Sequence, residues 1–322
     1  MYEWQQQIQI IVDEIDECIK QHQDEALTLQ SLACKLGYSE YYTTRKFREI
    51  SGLPLRDYLR LRRLAFALWE VRDSGRNLLD IAVDYGFSSH EAFTRAFKAT
   101  YGITPGEYRK NPVPVVLRTK IHPFDRYFFG LGEIGMMKST EDIKIYFVTV
   151  PAHKFLHIRN YESIGYWDFW QKQSLIPGQD CETICGLLDS IKDKLDDEGG
   201  SESNSGSGHV AGFLNDPKGR LCSWGIPLAE CYGVRLPLDY QGEVPPQMLM
   251  MEVPEGEYIV FEHGPFDYEQ ENRSVEEKVE EAMNAFDYEK AGYCLDTTPG
   301  RIAYLYHDPE RFWKYVRPVR KL

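Results

Sequence analysis

Two short sets of polar side chains near the start of the chain could do recognition chemistry. The first is Tyr41, Thr44, Arg45 and Arg48, and the second is His90, Glu91, Thr94, Arg95 and Lys98. Tyr41, Thr44, Arg45 and Arg48 recur at i, i+3, i+4 and i+7, which places them on one face of a helix. An arginine fork matches the O6 and N7 acceptors of guanine, a glutamate can accept from the amino group of cytosine, and a threonine can meet a base edge or the thymine methyl. Arg48 and Lys98 stand one turn further on and suit phosphate oxygens, which orient a protein on a duplex without reading its sequence.

Positioning these residues requires helices, and the surrounding sequence repeats itself to supply them. Leu29–Ser39 aligns with Leu78–Ser88 at an offset of 49, pairing Leu32 with Ile81, Ala33 with Ala82, Gly37 with Gly86 and Tyr38 with Phe87. After one inserted residue, Thr44, Arg45, Phe47, Gly52 and Tyr58 align with Thr94, Arg95, Phe97, Gly102 and Tyr108. Leu29, Leu32, Ala33 and Leu36 form one apolar helical face. Gly37 and Gly86 fall where a helix end requires positive φ, and Ser39 and either Ser88 or Ser89 suit the N-cap of the next helix. Small Ala33 and Ala82 permit close helix crossing. Each unit therefore reads as helix, tight turn, helix, with Phe47 and Ile50, or Phe93 and Phe97, facing the core. Between the units, Leu55–Val71 is strongly helical. Pro54 to Asp73 would span about 30 Å, close to the ~34 Å between successive major grooves on one face of DNA.

Local charge agrees with this reading although total charge does not. The 322 residues carry a formal charge of −13, yet residues 31–110 hold 14 Lys+Arg against 9 Asp+Glu, net +5, between segments of −6 and −12. Charge acts over a Debye length of ~8–10 Å, so the basic segment is what a polyanion would meet. No apolar run approaches the ~18 residues of a membrane span, and the N-terminus lacks the pattern of a secretory signal. A cytoplasmic protein without membrane association is expected. The seven cysteines are scattered without metal spacing and are expected to be reduced. Cys181 and Cys185 would share a helix face. His22, at the end of the first helix, suits the negative end of a helix dipole.

Residues 8–110 resemble the DNA-binding domain of the AraC/XylS family of bacterial-type regulators. The resemblance is carried by Asp80-Ile81-Ala82-Val83-Asp84-Tyr85-Gly86-Phe87-Ser88-Ser89, by Phe93-Thr94-Arg95-Ala96-Phe97-Lys98 and by Tyr101-Gly102-Ile103-Thr104-Pro105-Gly106-Glu107-Tyr108-Arg109. It implies two helix-turn-helix units joined by a long helix, and sequence-specific binding of double-stranded promoter DNA through Tyr41, Thr44, Arg45, His90, Glu91, Thr94 and Arg95. RNA polymerase is an implied partner. Thr43 stands where relatives place an apolar core residue.

A second repeat lies in the acidic part. Phe147–Ile158 aligns at an offset of 103 with Met250–Phe261, each reading as strand, Pro-marked turn, strand. A helical stretch follows each (166–173 and 275–286), and then strands at 208–214 and 231–238, or 301–306 and 314–319. This describes two similar α+β units building one sheet. The motifs Val150-Pro151-Ala152, Cys231-Tyr232-Gly233-Val234, His263-Gly264-Pro265-Phe266 and Tyr315-Val316-Arg317-Pro318-Val319 resemble the GyrI-like, or SOUL-related, effector domain. The expected fold is multidomain: an all-α double helix-turn-helix domain followed by an α+β GyrI-like domain of duplicated, SHS2 type. The boundaries read as 1–111 for the first domain, 112–140 for a linker opened by Pro112 and Pro114, and 141–322 for the second, with a Gly/Ser-rich mobile loop at 196–208.

The second resemblance implies a cleft between the repeats that binds a small aromatic or lipophilic effector. Candidate lining residues are Trp167, Trp170, Trp224, Tyr258, Tyr304 and Trp313, with Glu162, Glu230 or Glu262 as the acid. Aromatic faces attract cations. Where cation-binding relatives carry a glutamate before the closing proline, however, this chain has Lys314-Tyr315-Val316-Arg317. Some GyrI-like domains resemble hydrolases, and others could act as protein-interaction modules. The dispersed histidines form no nucleophile–base set, and no motif calls for a metal or cofactor. A regulator rather than an enzyme is expected.

Overall fold

A computed structural model describes residues 3–23, 26–124, 143–195, 208–222 and 225–322. The chain divides into two units, Met1–Asp125 with Cys185–Ser190, and Arg126–Ile184 with Ile191–Leu322. No helix among the described residues is long and apolar enough to cross a membrane.

The first unit is built on helices α1 (Glu3–Lys20), α2 (Leu29–Leu36), α3 (Glu40–Ser51), α4 (Leu55–Asp73), α5 (Leu78–Asp84), α6 (His90–Tyr101) and α7 (Pro105–Lys110). The caps expected at Ser39 and Ser89 form, and three more helix starts are capped as well. Thr28, Ser39, Asn77, Ser89 and Thr104 each accept a backbone N–H at a helix start, and Thr104 with Glu107 completes a capping box. Gly37 and Gly86 take φ of 72° and 73° in the two turns, a conformation that a Cβ would crowd. The core gathers Leu32, Phe47, Leu55, Tyr58, Leu64, Leu68, Ile81, Phe93, Phe97 and Tyr108 with Ile8, Ile11 and Ile15 of α1. Helix α4 is buried along much of its length, including Arg62, whose Nε and Nη2 donate to the Asp16 carboxylate of α1 at 2.8 and 2.6 Å.

The expected linker packs on the helical core through Val113, Val115, Leu117 and Ile121. Val115 and Leu117, at alternate positions of an extended segment, are buried in this core. Residues 125–142 lie outside the described residues, as do residues 196–207 of the expected mobile loop.

The second unit holds β1 (Lys144–Val150), β2 (His153–Asn160), α8 (Tyr166–Gln173), the start of α9 (Cys181–Ser190), β3 (His209–Leu221), β4 (Pro227–Leu236), β5 (Leu249–Val253), β6 (Gly256–His263), α10 (Tyr268–Ala285), β7 (Tyr293–Leu295), β8 (Ile302–Asp308) and β9 (Phe312–Lys321). The strands form one antiparallel sheet in the order β1-β6-β9-β8-β3-β4-β2-β5, with β7 beside β9. Exchanging β1 with β5, β2 with β6, β3 with β8 and β4 with β9 reverses this order and leaves it otherwise unchanged. The registers agree: Val150 pairs with Gly256 and His153 with Val253, and the 103-residue repeat converts one pair into the other. The duplication in the sequence is thus a duplication of the sheet, with the repeats exchanging their first strands.

Alternation separates two faces. One carries Phe155, Cys231, Tyr258, Val260, Tyr304, Tyr306 and Val316. The other carries Ile259, Phe261, Trp313, Tyr315 and Val319 and is covered by Val275, Val279 and Met283 of α10. Helix α10 begins seven residues before the helical stretch expected at 275–286. Its first turns are polar, and the start is set by Asp267, whose side chain accepts from Gln270 N at 3.1 Å.

Candidate nucleic-acid interface

Helices α3 and α6 each follow a helix that buries a small alanine, Ala33 at 2% and Ala82 at 0% exposure. Each is anchored by a phenylalanine, Phe47 or Phe97, and opened by a serine cap. Phe97 packs among Phe93, Tyr101 and Tyr108, with ring centroids 4.8–5.9 Å apart. With the inner faces fixed, the opposite faces are presented to solvent.

Tyr41, Arg45 and Arg48 are exposed on α3, Tyr41 by 76%. Thr44 beside them is half-buried, and its hydroxyl donates to Glu40 O at 2.8 Å. Glu91, Arg95 and Lys98 are exposed on α6, with His90 and Thr94 half-buried. The nine residues therefore fall into two sets, one per helix, and Arg45 and Arg95 occupy equivalent exposed sites. Glu91 also has a local task. Its own backbone N–H at the helix start holds its carboxyl below the usual carboxylate range, followed by the Ser89 hydroxyl and the nearby His90 and Arg95.

Thr43 is the irregular member of the repeat. It is fully buried at the place equivalent to Phe93, and its hydroxyl has no hydrogen-bond partner. Near the start of α3, Trp4 of α1 packs on Tyr38 and Tyr42 at 4.8 and 5.2 Å, with Lys46 Nζ 5.9 Å over the Trp4 ring.

Against known proteins, residues 32–111 match the family described as a helix-turn-helix domain. Over 105 residues the chain is 40% identical to "Regulatory protein SoxS" of Salmonella typhimurium, covering 94% of that protein and 33% of this chain. The chain belongs to the AraC/XylS family. This AraC/XylS-family chain is also 32% identical over 144 residues to "Right origin-binding protein" of Escherichia coli K12. That match covers 45% of this chain and 43% of the relative, so the shared region is under half of either protein. A solved transcriptional regulator from Chromobacterium violaceum, described as having an AraC-type DNA-binding domain, is 24% identical over 33% of this chain and 91% of its own, with a TM-score of 0.30.

The candidate ligand residues of the second unit are not brought to one place. Trp170 of α8 is buried, edge-on to Tyr232 at 4.9 Å and to Tyr166 at 6.3 Å. Glu230, two residues before Tyr232 on the same face, accepts from Gly165 N at 3.3 Å. Trp167 is 43% exposed on α8, and Glu162, before that helix, is exposed. Trp313 lies beneath α10, edge-on to His307 at 5.0 Å. Tyr258, Tyr304 and Glu262 are on the opposite face. Trp224 is outside the described residues.

Around Tyr304 the fold gathers residues that no sequence motif marks. His153 Nε2 lies 2.6 Å from the Tyr304 hydroxyl, while Nδ1 lies 2.8 Å from Pro151 O. Arg235 is fully buried 5.5 Å over the Tyr304 ring and donates to Tyr306 Oη at 2.9 Å. Burial, and then Arg235, push His153 down to about 4, so it is neutral near pH 7 and Nε2 accepts from Tyr304 when Nδ1 donates to Pro151 O. Burial pushes Tyr258 up to about 12 and the Cys231 thiol likewise to about 12. These groups are held protonated inside the sheet. A cation enclosed by the apolar Val234-Leu236 pair was the available signal for Arg235, since buried charge demands partners. Glu262 is engaged by Tyr146 Oη at 2.8 Å and by Lys144 Nζ at 3.2 Å. No group of three or more potential metal ligands occurs among the described residues.

Proposed function

We propose that this chain is a sequence-specific transcription regulator that binds promoter DNA with α3 and α6 in the major groove. The carrying observation is the pair of exposed arginines, Arg45 and Arg95, at equivalent sites of two helix-turn-helix motifs within one unit. Tyr41, Thr44, His90, Glu91 and Thr94 join them in reading base edges, and Arg48 and Lys98 hold phosphates. One chain then reads two half-sites. The relatives' printed names, a regulatory protein and an origin-binding protein, support the same class. A cytoplasmic location and RNA polymerase as partner follow from this reading.

The test is selection of duplexes by the full chain from a random library, repeated with Arg45→Ala and Arg95→Ala. Each substitution is expected to weaken the selected duplex about tenfold and to relax preference at a different base pair. Unchanged affinity and preference in both variants would remove the reading-head assignment.

The second unit we assign as a GyrI-like effector domain that modulates DNA binding. This rests on the mirrored sheet and on a face where tyrosines surround Arg235 and Lys314. Lys314 Nζ lies 3.8 Å over Phe312 and 5.2 Å over Tyr306. Thermal-shift measurements on the full chain against panels of aromatic carboxylates, neutral aromatics and lipophilic cations test it. A ligand that raises the melting temperature and changes affinity for the selected duplex supports the effector reading. Absence of any stabilising compound favours a protein-interaction module instead.

A further inference from the structure

Helix α1 ends in a backbone conformation that its residue does not favour. His22 has φ 53°, in the left-handed region. It closes the helix: its N–H donates to Ile19 O at 3.2 Å, and Gln23 N–H reaches back to Cys18 O at 2.9 Å. Glycine is the usual occupant of such a site because a Cβ is crowded there. The other left-handed positions among the described residues of the helical motifs are glycines, Gly37, Gly52, Gly86 and Gly102, with φ of 72–78°. His22 is the exception, and a side chain held at such a site points to use of that side chain.

The side chain reaches the second helix-turn-helix motif. Its Nδ1 lies 3.2 Å from Asp84 O, and its ring meets that of Tyr85 edge-on with centroids 5.2 Å apart. Asp84 is the last residue of α5, where free carbonyls attract a donor. The rest of α1 is fastened to the first motif and to the connecting helix. Trp4 packs on Tyr38 and Tyr42, Glu14 pairs with Lys35 of α2, and Asp16 pairs with Arg62 of α4. At 18 residues, α1 spans about 27 Å.

We propose that α1 is a brace between the two motifs and that His22 is a positioning residue, setting the separation and angle of α6 relative to α3. The proposal rests on the DNA-reading function above. Helix α4 reaches the second motif through the non-helical residues 74–77. Arg76 ties the Asp84 carboxylate to Glu70 of α4. His22 adds a tie from a different helix to the same end of α5. A rigid pair of reading helices binds one half-site spacing without first losing orientational freedom, and a hinged pair accepts several.

The experiment uses the full chain and the duplex it selects from a random library, together with versions carrying one or two base pairs inserted between the half-sites. His22→Gly removes the ring and suits the left-handed backbone, so its melting temperature should equal or exceed that of the unaltered chain. It should bind the selected duplex about fivefold more weakly, and its penalty for inserted base pairs should shrink. His22→Asn, which tolerates this conformation and keeps a donor, should recover part of the spacing preference. Wild-type affinity and wild-type spacing penalties in His22→Gly would overturn the brace. If the unaltered chain enriches no sequence at all, the DNA-reading assignment falls and the brace with it. If it enriches one half-site only, the brace alone falls.

Discussion

Arg45 and Arg95 show what exposure and spacing permit at the scale of one residue. Both project from helices whose opposite faces are locked into a core, so their substitution by alanine should leave stability within about 0.5 kcal/mol while weakening the selected duplex. Urea unfolding beside binding measures the two effects separately. Lys98→Ala should weaken all duplexes alike and reduce the slope of log affinity against log salt by about one. Thr43 offers the opposite case. Its buried hydroxyl lacks a partner, so Thr43→Val should stabilise the chain by about 1 kcal/mol, read as a higher urea midpoint. The outward placement of Tyr41, Arg45, Arg48, Glu91, Arg95 and Lys98 was legible in the sequence because helical period and cap residues fix it locally, whereas the Thr94 hydroxyl is buried without a partner. The paired Asp16 and Arg62 were not, because they lie 46 residues apart and neither has a local pattern that names the other.

At the scale of elements, that pair joins α1 to α4 inside the core. Asp16→Ala leaves the Arg62 guanidinium buried without its carboxylate and should cost about 3–5 kcal/mol. Asp16→Leu with Arg62→Met should recover most of the loss, since a matched apolar pair needs no partner. Thermal unfolding of the two variants distinguishes these outcomes. The stretch after Pro112 carries a related lesson. Prolines mark it as extended, and composition suggests a linker. Alternating Val115 and Leu117 nevertheless give it one apolar face, which the helical core accepts. Helix α10 starts earlier than the stretch expected at 275–286, because its opening residues are mostly polar in sequence and the Asp267 side chain, accepting from Gln270 N, marks its start.

At the scale of the whole molecule, pH should act mainly through the sheet. Burial, then Arg235, lowers His153 to about 4, and burial lowers His157 to about 4 as well. A histidine whose folded pKa is depressed favours the folded state fully above its unfolded value, near 6.5. That contribution is lost as pH falls from about 6.5 to about 4, because the unfolded chain takes up protons that the folded chain refuses. Each histidine should remove about 1.4 kcal/mol of stability per pH unit within this window. Calorimetry at pH 7.5 and 5 should find the transition of the second unit falling, and His157→Gln should shallow that fall.

Local order along the chain carries the two helix-turn-helix motifs, the serine caps of α3 and α6, the outward arginines, and the 103-residue repeat behind the strands. Tertiary structure alone decided which distant groups meet. It exchanged the first strands of the repeats, so that β1 lies beside β6 and β5 beside β2. It divided the candidate aromatic residues between two faces of one sheet, and it brought His153 and Arg235 to Tyr304. Period and spacing act over a few residues along the chain. The pairing of strands and the enclosure of charge are settled by apolar burial and hydrogen-bond satisfaction across the entire sheet.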